Sequence, residues 1–378
     1  MQNLHLTAKK KHNRFSLNNN ASFRYLSGRG IFFAGKFFTI NNSTMNKVYF
    51  LVLIVLSCFQ LKSQSQSLRA LDVNLENYKY PFAVSYINLA TQQQSLKMAY
   101  MDVKPGKANG KTVVLLHGKN FNGAYWRETA QILSDKGYRV VIPDQVGFGK
   151  SSKPQYFQYT FQQLAQHTKA ILDSLGIDKA AILGHSMGGM LATRFALMYP
   201  ETTWKLILEN PIGLEDWKLK VPYQSVNDWY KRELGQSYDK IKNYQQKSYY
   251  DNQWKPAYDE WVNLLAGWTL NKEYPLIAWN AALTYDMIFT QPVVYEFDKI
   301  TVPTLLIIGT RDRTALGKEL ASATDQKTMG LYHELGKSTA AKIKGSLLKE
   351  LDNVGHLPHI ESFERFINPL LDFLSASE

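Results

Sequence analysis

From about residue 82 onward, short apolar, β-branched runs alternate with stretches whose apolar positions recur every three or four residues. Phe82–Asn88 and Gln94–Val103 read as two strands around the polar turn Thr91-Gln92-Gln93. The next runs are Thr112–His117, Tyr138–Ile142, Ala180–Gly184, Leu206–Glu209, Thr304–Gly309 and Leu347–Leu351. Most are continuously apolar rather than alternating, as strands buried on both faces are. Ala124–Lys136, Phe161–Leu175 and Met187–Tyr199 lie between them with helical spacing. Buried strands alternating with helices predict an α/β fold with a mostly parallel, doubly wound sheet.

The alternation stops between about Ile212 and Ile300. That stretch holds six of the eight Trp, and 18 of the 81 residues from Trp217 to Phe297 are aromatic, against 13% for the whole chain. Trp254, Tyr258, Trp261, Leu265 and Trp268 recur at helical spacing. The pattern predicts a helical subdomain inserted between two sheet strands. Its aromatic excess predicts that some rings line a pocket, with Trp217, Trp261 and Trp268 as candidates beside Asn120.

The formal charge of +12 raises the question of a nucleic-acid or membrane partner. Nine of the 44 Lys/Arg fall in residues 1–64, which contain no Asp or Glu. The remainder carries 35 basic against 32 acidic residues, so the folded part is nearly neutral and no electrostatic case for nucleic acid survives. Met45-Asn46-Lys47 precedes the apolar run Val48–Ser57 and a Gln/Ser-rich stretch to Ser67. A short basic region followed by ten apolar residues has the form of a secretory signal peptide, too short for a membrane span of about 20 residues. The expectation is an exported protein, periplasmic, secreted or lipid-anchored, with Met45 as the true start and residues 1–44 outside the native fold. Cys58, the one cysteine, ends the apolar run as Val55-Leu56-Ser57-Cys58, which resembles a lipoprotein box. Lipidation of Cys58 would be the route to a membrane; the alternative is cleavage within the Ser/Gln stretch. A lone cysteine excludes an intrachain disulfide framework and a thiolate zinc site.

The chemistry sits at Gly184-His185-Ser186-Met187-Gly188-Gly189, after the apolar strand Ala180–Leu183 and at the start of a helix. This is the G-x-S-x-G nucleophile elbow, whose tight turn needs small residues at 184 and 188. Such a serine needs a base and an orienting acid, expected in the order Ser, acid, His. Asp312 follows the strand Thr304–Gly309, and His356 follows Leu347–Leu351, both where ligands gather in open α/β sheets. Among the alternatives, His359 fits a helix opening and His185 cannot turn back onto Ser186. Glu215 or Asp216 would be the acid if Asp312 were not, and Asp352 reads as a turn residue. The oxyanion donors are expected to be the backbone N–H groups of Met187 and Lys119, the latter in His117-Gly118-Lys119 after the first central strand. His117 reads as a histidine held by backbone hydrogen bonds beneath the site.

His117-Gly118, Pro143-Asp144-x-x-Gly147-Phe148-Gly149-x-Ser151, the elbow, Gly309-x-x-Asp312 and Gly355-His356 together resemble the α/β-hydrolase superfamily. More narrowly they resemble its capped group of haloperoxidase-like esterases, carbon–carbon bond hydrolases, epoxide hydrolases and proline iminopeptidases. The resemblance spans roughly Tyr80–Ser375. It implies an α/β-hydrolase core (65–211 and 301–378), a helical cap (212–300) over Ser186, Asp312 and His356, and neither cofactor nor metal. Serine at 186 argues against the dehalogenase and epoxide hydrolase branches, whose nucleophile is aspartate. Two departures stand out: Lys119-Asn120 where many members have an apolar residue or Gly-Pro, and an apparent extra segment at Gly330–Gly345.

The expected activity is hydrolysis of small hydrophobic esters through an acyl-enzyme, with no nucleic-acid partner. Carbon–carbon bond hydrolysis of a diketone is a rival. So is aminopeptidase action, for which acids in the cap (Asp228, Glu233, Asp239, Asp251, Asp259, Glu260) would hold a substrate amine. A non-catalytic ligand receptor is the rival of another class, and its usual mark, a broken set of catalytic residues, is missing.

Overall fold

A computed structural model describes residues 68–376. The expected signal peptide, the start at Met45 and the Cys58 lipid site lie outside the described residues. Eight strands form one sheet in the order β1-β2-β4-β3-β5-β6-β7-β8. They are β1 (Val84–Thr91), β2 (Gln94–Val103), β3 (Thr112–Leu116), β4 (Arg139–Pro143), β5 (Ala180–His185), β6 (Thr203–Glu209), β7 (Thr304–Gly309) and β8 (Leu347–Leu351). β1 and β2 form an antiparallel hairpin that pairs antiparallel with β4, and every later pairing is parallel. Gln92 and Gln93 turn the hairpin in the left-handed region, at φ 48° and 60°. Every residue of β3, β5, β6 and β7 is buried, which is why those runs show no alternation.

Helices α1 (Arg127–Asp135), α2 (Phe161–Ser174) and α3 (Met187–Met198) connect the first parallel strands. Four helices between β6 and β7 make the inserted subdomain: α4 (Val226–Leu234), α5 (Tyr238–Ser248), α6 (Asp259–Thr269) and α7 (Tyr274–Thr290). Ser225 and Ser237 cap α4 and α5 by accepting from the N–H groups of Asp228 and Lys240. Beyond β7 come the short α8 (Ala323–Thr328), α9 (Tyr332–Lys342), α10 (Pro358–Glu361) and α11 (Phe363–Ser375). The segment 330–345 is therefore no insertion. It holds α9, the crossover from β7 to the parallel β8, and Gly336 lets it pack close to Ile308: a Cβ there would lie 3.0 Å from the Ile308 side chain. No helix among the described residues is long and apolar enough to cross a membrane.

His167 on α2 makes stability depend on pH. Its ring is buried, Nε2 faces the Gln163 amide at 2.9 Å, and Nδ1 has no partner among the described residues. Burial pushes its pKa down to about 4. The unfolded chain, with an ordinary value of about 6.5, then binds more protons between pH 4 and 6.5. Stability should fall as pH drops through that window, at up to about 1.4 kcal/mol per pH unit from this group. Melting temperatures from pH 7 to 4 should fall less steeply for His167→Gln than for the wild type; parallel curves would contradict the assignment.

Candidate functional site

The elbow is built by close approach of backbone. Strand β5 ends at His185, α3 begins at Met187, and Ser186 between them has φ 57° and ψ −122°. A non-glycine residue held there costs on the order of 1–3 kcal/mol. The flanking glycines make the turn feasible: a Cβ on Gly184 would lie 2.0 Å from the Gly188 carbonyl oxygen, and one on Gly188 would lie 2.2 Å from that of Leu116. Ser186 thus stands at the C-terminal edge of the central strands, beside the N-terminus of a twelve-residue helix that favours developing negative charge.

Asp312 and His356 meet beyond the ends of β7 and β8. His356 Nδ1 lies 2.6 Å from Asp312 Oδ2, and both side chains are fully buried. Asn210 Nδ2 donates to the same Oδ2 at 2.9 Å, and the Thr314 N–H donates to Oδ1 at 2.8 Å. The carboxylate is thereby saturated with donors and fixed in orientation. Asn210 also accepts from the Gly309 N–H, tying the end of β6 to the end of β7. An ion pair between Arg311 and Glu361 joins the two loops, and Glu361 accepts from the Gly355 N–H at 2.8 Å. His356 Nε2 is buried with no hydrogen-bond partner among the described residues. Tyr249, from the cap, stacks on the His356 ring at 4.7 Å between centroids and lines the same small recess as Ser186.

The other candidates have separate duties. His359 Nδ1 lies 2.8 Å from Glu209 Oε1, its N–H donates to the same oxygen, and its ring stacks on Trp126. Glu215 accepts from the Gly330 N–H, Asp216 caps a short 3₁₀ turn at Trp217–Leu219, and Asp352 accepts from Thr310. None of these reaches His356. His117 bridges the Gly118 carbonyl and the Gln145 N–H. His185 points away from Ser186 and links Tyr125 Oη (3.0 Å) to the His356 carbonyl (2.8 Å). Burial, and after it the neighbouring His356 and His359, hold its pKa well below the ordinary value, so the ring is a neutral strut. Tyr125 Oη also accepts from the Gly118 N–H, so one chain of contacts connects the Gly118-Lys119 loop to the loop of His356.

Lys119 and Asn120 line both the recess at Ser186 and a larger cavity of about 520 Å³ between core and cap. Trp268 lines the larger cavity as expected, together with Trp229, Tyr244, Tyr274 and Tyr285. Trp217 and Trp261 do not line it. Trp217 is buried in the hydrophobic core around α3, and Trp261 packs on Phe121 and Tyr125 with ring centroids 6.2 Å from each. At Trp261 the helical spacing reports packing rather than binding. Asn120 donates to Tyr249 Oη at 2.9 Å, fixing the ring that covers His356. Among the described residues no group of three or more His, Cys, Asp or Glu is placed to hold a metal ion.

The cap grips the His356 loop through backbone. The His356 N–H donates to the Tyr249 carbonyl, and a Cβ on Gly355 would lie 1.9 Å from that oxygen. Gly355→Ala should therefore destabilise the fold by about 1–3 kcal/mol and displace His356. The midpoint of urea unfolding should decline accordingly. Unchanged stability would mean that the loop relaxes freely.

A nucleophile elbow at the centre of a parallel sheet, an acid and a histidine beyond the last two strands, and an inserted helical cap define an α/β-hydrolase. The alpha/beta hydrolase fold family matches residues 111–363, and the chain belongs to it. It is a hydrolase. It is similar to a probable hydrolytic enzyme of Pseudomonas aeruginosa PAO1, with 51% identity, a TM-score of 0.81, and coverage of 82% of this chain and 99% of that one. It is also similar to a 2-hydroxy-6-oxo-6-phenylhexa-2,4-dienoate hydrolase of Burkholderia cepacia, 41% identical over 28% of this chain and 38% of the relative. A haloalkane dehalogenase of Mycobacterium marinum is 32% identical over 39% of this chain and 53% of the relative. The chain thus spans about half the length, or less, of these curated relatives.

Proposed function

We propose that the protein is a serine hydrolase of carboxylic esters in which Ser186, His356 and Asp312 act together. The observation that carries this is the fully buried His356, bonded through Nδ1 to an oriented carboxylate, with an Nε2 that has no partner among the described residues and with Tyr249, which stacks on its ring, lining the same recess as the strained Ser186. In this reading Ser186 Oγ attacks the acyl carbon while His356 Nε2 takes its proton. The tetrahedral oxyanion is held by the N–H groups of Met187 and Lys119 at the positive end of α3. His356 then returns the proton to the leaving alcohol, and a water repeats the sequence on the acyl-enzyme. Asp312 fixes the imidazole tautomer and stabilises the imidazolium.

The relatives that hydrolyse dienoates favour a second reading, in which the same residues cleave a carbon–carbon bond. Serine at 186 supports both over halide displacement, which needs a carboxylate nucleophile. Labelling with a fluorophosphonate probe, followed by a panel of aryl esters, aryl amides and diketones, tests the proposal. Labelling with ester turnover supports it. Labelling with turnover of the diketone alone supports the second reading, and a protein that neither labels nor turns over has a site that is closed under its cap or catalytically silent, which contradicts the proposal.

A further inference from the structure

The cavity between core and cap is aromatic, yet it holds polar groups that the protein leaves unanswered. The Lys119 ammonium makes no hydrogen bond or ion pair among the described residues, and lies 3.5 Å over the centre of the Tyr285 ring. Glu233, on α4, lines the same cavity, also without a side-chain hydrogen bond or ion pair, and beyond the 4.0 Å of a direct contact with Lys119. Gln245, on α5, is fully buried, lines the cavity, and has neither amide atom bonded among the described residues. The other charges nearby are occupied: Arg232 pairs with Glu319 at 2.7 Å, and Lys240 donates to the Gly235 carbonyl. Buried polar groups are nearly always paired, and an unpaired buried cation is the costliest kind to leave.

Lys119 and Glu233 keep some exposed surface while lying deep among protein atoms, as side chains facing a cavity do. Burial lowers the lysine and raises the glutamate, each opposed by the other's charge. They differ in position. Lys119 lines both the larger cavity and the recess at Ser186, whereas Glu233 and Gln245 line only the larger one. Lys119 Nζ and Gln245 Nε2 thus face the cavity as donors without a partner among the described residues, and Glu233 is the one carboxylate there that is likewise unpaired among them.

We infer that the substrate carries a carboxylate at the far end of a short acyl chain, received by the Lys119 ammonium and the Gln245 amide. This rests on the esterase reading above and narrows it from hydrophobic esters to half-esters of dicarboxylic acids. Glu233, facing the same space, repels that same distal carboxylate and so limits how tightly substrate and diacid product are held.

The test compares three p-nitrophenyl esters of one chain length: hexanoate, 6-aminohexanoate and the mono-ester of adipate. The wild type should favour adipate over hexanoate by about tenfold or more in kcat/KM, as a charged hydrogen bond allows. Lys119→Met keeps the backbone N–H, and comparing two esters within one variant cancels any change in the oxyanion donors. The ratio should fall to near one. Glu233→Gln should widen it. A wild-type preference for hexanoate or 6-aminohexanoate overturns the inference, and so does a ratio that survives Lys119→Met. Calorimetric binding of monomethyl adipate and methyl hexanoate to Ser186→Ala supplies an arm that needs no turnover. If no ester is hydrolysed, the esterase reading fails, while tighter binding of the acid still supports the carboxylate site and equal binding overturns it.

Discussion

Ser186→Ala should abolish fluorophosphonate labelling and lower ester turnover by roughly 10⁶-fold, the scale seen when a serine nucleophile is removed elsewhere. The loss is that large because no other nucleophilic side chain of the recess stands on the elbow at the N-terminus of α3. His356 is enclosed by Tyr249 and Asp312, and the Tyr125 and Tyr249 phenols are held protonated by burial. The variant should fold normally. Alanine at 186 meets the same positive φ as serine, and the contacts that shape the elbow are made by Gly184 and Gly188. An unchanged melting temperature with lost labelling therefore isolates chemistry from folding. A variant that still labelled at the wild-type rate would place the nucleophile elsewhere and end the serine hydrolase reading.

Asp312→Asn should lower kcat by about 10⁴-fold, because an amide cannot hold the imidazole in the tautomer that leaves Nε2 able to accept a proton. The surroundings sharpen the expectation. Both carboxylate oxygens face donors: Asn210 and His356 on one, the Thr314 N–H on the other. A single amide oxygen serves only one side, so the NH₂ group must face a donor wherever it points. The variant should also lose stability, by about 1–3 kcal/mol for the unsatisfied buried group. Turnover of an aryl ester, read beside a urea melt, separates the two effects. A variant retaining a tenth of wild-type kcat would rule out the proposed role, and Glu215 or Asp216 would then have to be reconsidered despite their other bonds.

Much of this site was legible because its parts are local. The elbow is six consecutive residues whose glycines are demanded by backbone approach, and Asp312 and His356 each follow a short apolar run at a strand end. The strands were legible for the same reason, since β3, β5, β6 and β7 are buried along their whole length. What escaped was non-local. Asn210 holds Asp312 from the neighbouring strand, and Glu209 pairs with His359 across 150 residues; no spacing in the chain joins either pair. The cap was misread in its details because helical periodicity says that a face is buried without saying against what. Trp217 and Trp261 face protein, while Trp229, Tyr244, Tyr274 and Tyr285 face the cavity. The segment 330–345 looked superfluous only because the alternation of strands and helices was interrupted by the cap, so its role as an ordinary crossover was hidden.

The contact between the Tyr249 carbonyl and the His356 amide has a bearing on engineering. Caps of this kind invite treatment as interchangeable modules, to be exchanged for a new specificity while the core is kept. Here the proposed base, His356, hangs from the cap by a backbone hydrogen bond, with a cap tyrosine stacked on its ring and no room for a methyl group at Gly355. A chimera that imports another cap must reproduce the path of the chain at residue 249, or it will alter turnover number along with selectivity. Libraries that randomise the cavity-facing positions of α4 and α7 while leaving 244–250 intact can change what is bound without disturbing the proton transfer.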